Sequence, residues 1–74
     1  MKKEVLLKRL GEQVRRYREI NHLTQAELAA LINKDRQSIQ RLETGNVNPS
    51  LFYLYEIAQG LSVHVRDLAD CYKL

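Results

Sequence analysis

Apolar residues fall along this chain in short helical runs separated by polar breaks. Between residues 5 and 19, Leu7, Leu10, Val14 and Tyr17 recur at steps of three and four. Lys8, Arg9, Glu12, Arg15, Arg16 and Glu19 fill much of the remainder. That period predicts an amphipathic helix with one buried stripe, ending near Asn21 and His22. Thr24 then offers an N-cap with Glu27 three residues on, the spacing of a capping box. Leu23 and Leu28 are placed to form the accompanying hydrophobic staple. Leu28, Ala29, Leu31 and Ile32 predict a second, short apolar face. The phase breaks at Asn33, a residue that tolerates the left-handed backbone of a tight turn. Asp35 can cap a third helix, with Ile39 and Leu42 inward and Thr44, Gly45 and Asn46 at its end.

After Pro49, Ser50 is placed to cap a fourth helix whose stripe is Leu51, Leu54, Ile57, Ala58 and Leu61. Gly60 and Ser62 are expected to loosen its end. A fifth helix is predicted from about His64 to Tyr72, with Val65, Leu68 and Tyr72 on one side. No run alternates with the period of two that a strand requires. The expectation is an all-α bundle of five short helices.

The second and third helices, with a turn of about three residues between them, form a helix-turn-helix arrangement. Ala29 is small where two helices must cross, and Ile32, Ile39 and Leu42 are apolar where the pair must pack. Arg36, Gln37, Gln40 and Arg41 lie opposite Ile39 and Leu42 or on the edges of that side. These are the residue types that read base edges, Arg bonding guanine and Gln bonding adenine in bidentate fashion.

Charge strengthens that reading. The chain of 74 residues has a balance of +3, but it is uneven. Residues 1–41 carry ten Lys or Arg and five Asp or Glu, whereas residues 42–74 carry two and four. A basic half suggests a polyanionic partner, most simply nucleic acid. Lys2, Lys3, Lys8, Arg9, Arg15 and Arg16 of the first helix are read as solvated surface rather than as a DNA contact.

Four segments resemble the Cro/phage-repressor-type helix-turn-helix family, often called XRE. They are "LTQAELA" (residues 23–29), "SIQRLETG" (38–45), "NPS" (48–50) and "LYEIAQGLSV" (54–63). With the first helix, the resemblance covers about residues 8–70. It implies one five-helix domain over residues 1–74, with a motif core at 24–43, that binds operator double-stranded DNA as a homodimer. It implies a base-reading role for Arg36, Gln37, Gln40 and Arg41. Phosphate contacts fall to Thr24, Gln25, Lys34, Ser38, Asn46, Asn48 and Ser50, with Gln25 also bracing the start of the recognition helix. Lys34 is expected to point outward. Arg18 and Glu43 become a shielded structural ion pair. A dimer is expected through the fifth helix, by Val65, Leu68, Tyr72 and Leu74. Those of Phe52, Tyr53, Tyr55 and Tyr72 left exposed offer a second dimer patch, and Tyr53 a phosphate contact. Asn33 departs from the family, replacing the usual glycine of the turn.

Other chemistry finds little support. There is no Ser/His/Asp set, carboxylate pair or phosphate loop, so no enzyme is expected. His22, His64 and Cys71 lack metal-ligand spacing, and no cofactor or small-molecule ligand is evident. A lone cysteine permits no internal disulfide and fits a reducing, cytoplasmic setting. No stretch approaches the roughly 20 apolar residues of a membrane span, and the N-terminal run does not read as a signal peptide. The alternative function is a protein-interaction module, an antitoxin-like or bridging subunit of the same fold.

Overall fold

A computed structural model describes residues 1–72. The elements are α1 (Lys3–Ile20), α2 (Gln25–Leu31), α3 (Arg36–Glu43), α4 (Leu51–Leu61) and α5 (Val65–Ala69), followed by a 3-10 turn (Asp70–Tyr72). The fold is the all-α five-helix bundle expected, with the helix-turn-helix at α2 and α3.

Helices α2, α3 and α4 each start on a side-chain cap. The Thr24 hydroxyl accepts the Glu27 amide at 3.0 Å, and the Glu27 carboxylate accepts the Thr24 amide at 2.8 Å. Asp35 accepts the Ser38 amide at 2.8 Å, and Ser50 accepts the Tyr53 amide at 3.0 Å. These bonds satisfy amides that have no partner inside the helix.

The helix ends share one device. His22, Asn33 and Ser62 adopt a left-handed backbone, with φ of 57°, 58° and 58°, and Gly45 does so at 79°. Behind each, the chain folds back in the same way. The amides of Leu23, Lys34, Asn46 and Val63 donate to the carbonyls of Arg18, Ala29, Arg41 and Ala58. This is the Schellman closure, which satisfies orphan carbonyls and reverses the chain within two residues. Only one of the four positions is glycine. Ser62 therefore terminates α4 by its conformation; it does not loosen the helix.

The core gathers Leu10 and Val14 of α1, Leu28, Ala29 and Ile32 around α2, and Ile39 and Leu42 of α3. Ile57, Ala58 and Leu61 of α4 and Leu68 of α5 complete it. Two residues expected in the apolar stripes are instead outside: Leu31 is 62% exposed and Leu51 73%. The helices α2 and α4 are buried on narrower faces than their apolar residues suggest.

Two glycines set how closely the helices approach. A Cβ on Gly11 would stand 2.6 Å from the Leu42 carbonyl oxygen and nearer still to that of Glu43. The end of α3 thus packs directly on the α1 backbone. A Cβ on Gly60 would stand 2.7 Å from Ile32 Cγ2 and 3.0 Å from Leu28 Cδ1. Gly60 is a packing position between α4 and α2, not a weak end. Longer ties join α1 to the last helices: Asn21 Nδ2 donates to the Leu61 carbonyl at 3.0 Å, and Gln13 Nε2 to the Asp67 carbonyl at 3.2 Å.

Opposite stability changes are expected at two of these positions. Gly11→Ala forces α3 away from α1 and should cost about 1–3 kcal/mol, seen as a lower thermal midpoint by circular dichroism. Ser62→Gly removes a left-handed penalty of about 1–2 kcal/mol, partly offset by the roughly 0.5–1 kcal/mol entropic cost of glycine. Its midpoint should be unchanged or higher. A Gly11→Ala protein as stable as the parent would contradict the close approach.

Candidate nucleic-acid interface

The polar face of α3 is held from both ends. At its start, the Asp35 carboxylate accepts the Ser38 amide and also the Ser38 hydroxyl, the latter at 2.6 Å. At its end, Glu43 accepts from Arg18 through both oxygens: Nε to Oε2 at 2.6 Å and Nη2 to Oε1 at 3.0 Å. The two side chains are only 11% and 4% exposed. Arg18 Nη1 also donates to the Leu23 carbonyl at 2.8 Å, and Gln25 Nε2 donates to Glu43 Oε1 at 3.0 Å. Arg18 of α1 and Gln25 of α2 therefore meet at one carboxylate of α3, and Arg18 ties the turn before α2 to the same cluster. Hydrogen bonding to Glu43 raises the Arg18 pKa above its ordinary value, against the opposing effect of burial.

Between these anchors Ile39 and Leu42 are buried. Arg36, Gln37, Gln40 and Arg41 are all exposed on the other side. At 3.6 residues per turn, positions 36, 37, 40 and 41 form one continuous face. It carries two guanidinium groups and two amides, with fixed helix ends beneath them. The face offers paired donors, and donor–acceptor amides, to a groove the width of an α-helix.

The flanking residues divide. Thr24 and Ser50 are exposed at helix starts, and each spends only acceptor capacity on its cap, so each hydroxyl proton remains available to a phosphate. Asn46 and Asn48 are exposed in the segment after α3, with Asn46 Nδ2 donating to Thr44 Oγ1 at 3.0 Å. Two expectations need correction. Gln25 braces the end of α3, not its start, because its amide reaches Glu43. Ser38 has already donated its one hydroxyl proton to Asp35, so it has none for a phosphate. Lys34 is exposed, as expected, with its Nζ 3.8 Å from Glu56 and 5.4 Å from the centre of the Tyr53 ring.

Lys34, Ser38, Arg41, Val47 and Tyr53 line a shallow crevice of about 160 Å³ beside α3. Arg41 is thus on the edge of the polar face nearest α4. The Tyr53 hydroxyl is buried without a hydrogen-bond partner among the described residues, and burial pushes its pKa up. It is not placed to touch a phosphate.

The expected dimer surface on α5 also needs correction. Leu68 is completely buried in the bundle and cannot form an exposed patch. Val65 is half-buried against the same core. Leu74 and the side chain of Tyr72 lie outside the described residues. Sequence reasoning missed Gly11, the Gln25–Glu43 bond and the exposed positions Leu31 and Leu51. A glycine in the middle of an otherwise regular helical pattern was the available signal for the first.

Residues 14–68 match the model of the helix-turn-helix family. The chain belongs to that family, the XRE-like DNA-binding transcriptional regulators. It is 34% identical over 59 residues to an uncharacterized HTH-type transcriptional regulator from Methanocaldococcus jannaschii, covering 80% of this chain and 89% of that one. A second uncharacterized HTH-type regulator, from Archaeoglobus fulgidus, is 38% identical over 56 residues, covering 76% and 80%. Among solved structures, the restriction-modification controller protein C.AhdI from Aeromonas hydrophila superposes with a TM-score of 0.81 at 32% identity, over 84% of this chain and 90% of that one. The clp gene regulator ClgR from C. glutamicum gives 0.85 at 26%, over 89% and 85%. No helix among the described residues is long and apolar enough to cross a membrane.

Two outcomes check the anchors. Glu43→Ala strands a shielded guanidinium and should cost about 3–5 kcal/mol in urea denaturation, whereas Arg18→Met combined with Glu43→Leu should cost less than either single change suggests. Additive losses would show the pair to be uncoupled. At Asp35, bonds from the Ser38 hydroxyl and then the Ser38 amide hold the carboxyl below its usual range. The folded value lies below the unfolded one of about 3.9, so the cap contributes fully above that pH. Its contribution fades as pH falls through the folded value. An NMR titration should place the Asp35 midpoint below the unfolded value, and Ser38→Ala should raise it.

Proposed function

We propose that the chain is a sequence-specific, homodimeric regulator of the repressor or controller type. It binds a pseudo-palindromic operator with α3 in the major groove of each half-site. The observation that carries this reading is the exposed face of Arg36, Gln37, Gln40 and Arg41 on a helix fixed at both ends. Preorganisation matters because base discrimination requires bidentate geometry, worth roughly 1–3 kcal/mol per good pair. Arg36, Gln37 and Gln40 read bases, and Arg41, at the α4 edge, reads a base while its stem lines the crevice. Thr24, Gln25, Asn46, Asn48 and Ser50 set the register against the backbone. Lys34 joins them by leaving Glu56, a weak restraint at 3.8 Å on a partly exposed pair. Two half-sites about one helical turn apart, roughly 34–36 Å, match a two-fold dimer. The likeness to a restriction-modification controller protein supports a small regulator of this kind. The single-domain organisation over residues 1–74 and a cytoplasmic location belong to the same reading.

A protein-interaction module is the second reading. Its support is the exposed apolar surface of Leu31, Leu51, Phe52 and Tyr55. Selection of bound sites from random DNA separates the two: the regulator enriches one motif with two-fold symmetry. On the selected site, Arg36→Ala and Gln37→Ala should relax base preference by about 5–150-fold at single positions. Lys34→Ala should weaken all sequences similarly and reduce the salt slope by about one. A pool with no enriched motif, together with variants that bind as the parent does, would refute the regulator reading.

A further inference from the structure

The basic face of the chain is accounted for by DNA, but the exposed apolar residues of α2 and α4 are not. Leu31, Leu51, Phe52 and Tyr55 are 62%, 73%, 67% and 48% exposed. Leu51, Phe52, Tyr55 and Gln59 follow one stripe of α4, at positions i, i+1, i+4 and i+8. Phe52 and Tyr55 stack with ring centroids 6.0 Å apart, and Gln59 Nε2 donates to the Tyr55 hydroxyl at 2.8 Å. Leu31, Phe52 and Tyr55 border a shared open groove of about 640 Å³ that runs between the end of α2 and α4. Its floor includes Gly60.

We infer that this α2–α4 face, not α5, is the surface through which two copies of the chain associate. The inference rests on the reading of the protein as an operator-binding dimer. Three observations select a second copy as the occupant. The first is charge. Glu56 is the one charged residue bordering the groove, and it pairs with Lys34 at 3.8 Å. A two-fold interface lays a surface on its own image, which a charged patch resists and a neutral one permits. The same neutrality gives nothing to a polyanion and little to a basic protein. The second is area. From their exposed fractions, and about 150–250 Å² for each free large side chain, the four apolar residues present roughly 500 Å² per copy. A standard interface takes about 800 Å² per partner, and a homodimer's is about 65% apolar. The two quantities agree. The third is the alternative: α5 spends Leu68 entirely, and Val65 largely, on the core of its own protomer. Rings held in a stack and by the Gln59 bond also lose little side-chain freedom on docking.

Sedimentation of the full chain over a concentration series, without DNA, tests the assignment. Phe52→Glu and Phe52→Lys replace an exposed residue, so the thermal midpoint should stay near the parent's. Leu51→Asp, at the most exposed of the four, is the second probe of the same face. Each variant alone should weaken self-association by at least about 100-fold. Val65→Ala should leave association unchanged. A Phe52→Glu protein that dimerises like the parent would overturn the inference while leaving a dimer through another face intact. So would a parent that is monomeric throughout. DNA binding is read separately on a single half-site taken from the selected motif. There Phe52→Glu should bind as the parent does. An equal loss on the half-site would place Phe52 against DNA and overturn the inference without touching the regulator reading.

Discussion

The Glu43 carboxylate receives both arms of the Arg18 guanidinium and the amide of Gln25, and it is almost wholly withdrawn from water. Geometry elsewhere follows from this. Arg18 closes α1 and also holds the Leu23 carbonyl, so the entry to α2 is set by the same group. Gln25 belongs to the first turn of α2, and Glu43 to the last of α3. The angle between the two helices of the motif is thereby referred to α1. Apolar packing alone tolerates sliding and rotation by small amounts. A bidentate pair in a shielded site does not, because any displacement leaves a charge without its partner.

Around that fixed point the chain economises on length. Four Schellman closures reverse it without long loops, three of them on non-glycine residues. Much of the packing is long-range: α1 lies against α3, α5 and the final 3-10 turn, while α2 packs on α3 and α4 on α5. Gly11 lets the carbonyls at the end of α3 rest on α1, and Gly60 lets α4 settle onto Leu28 and Ile32. The motif thus gains a rigid backing in about seventy residues.

The parts legible in the sequence were those governed by one or two turns of helix. The Thr24–Glu27 box, the Asp35 cap and the left-handed Asn33 each depend on residues within three positions, and each lies where its spacing indicates. The exposed side of α3 was equally legible, since Ile39 and Leu42 leave only one side to bury. Tertiary choices were less so. Leu31 and Leu51 have the period of core residues but none of the described elements packs over them, and nothing local distinguishes them from Leu28 or Ile57. Leu68 looked available on a short helix until α1 and α4 closed over it. Gln25 has an amide that suits either a phosphate or a carboxylate, and only the docking of α3 brings Glu43 within reach. Nothing local shows what Gly11 is for, because the carbonyls that require it lie some thirty residues away.

The separation between anchors and polar face has an evolutionary consequence. Arg36, Gln37, Gln40 and Arg41 take no part in the core, the Asp35 cap or the Glu43 cluster. Substitutions at such surface positions usually alter stability by no more than about 0.5 kcal/mol. New side chains can therefore be tried there one at a time without passing through an unfolded ancestor. Duplicated copies of such a chain are free to diverge in what they recognise while their scaffolds stay interchangeable. Lineages can accumulate many such regulators, each addressed to a different site, by drift on one face of one eight-residue helix.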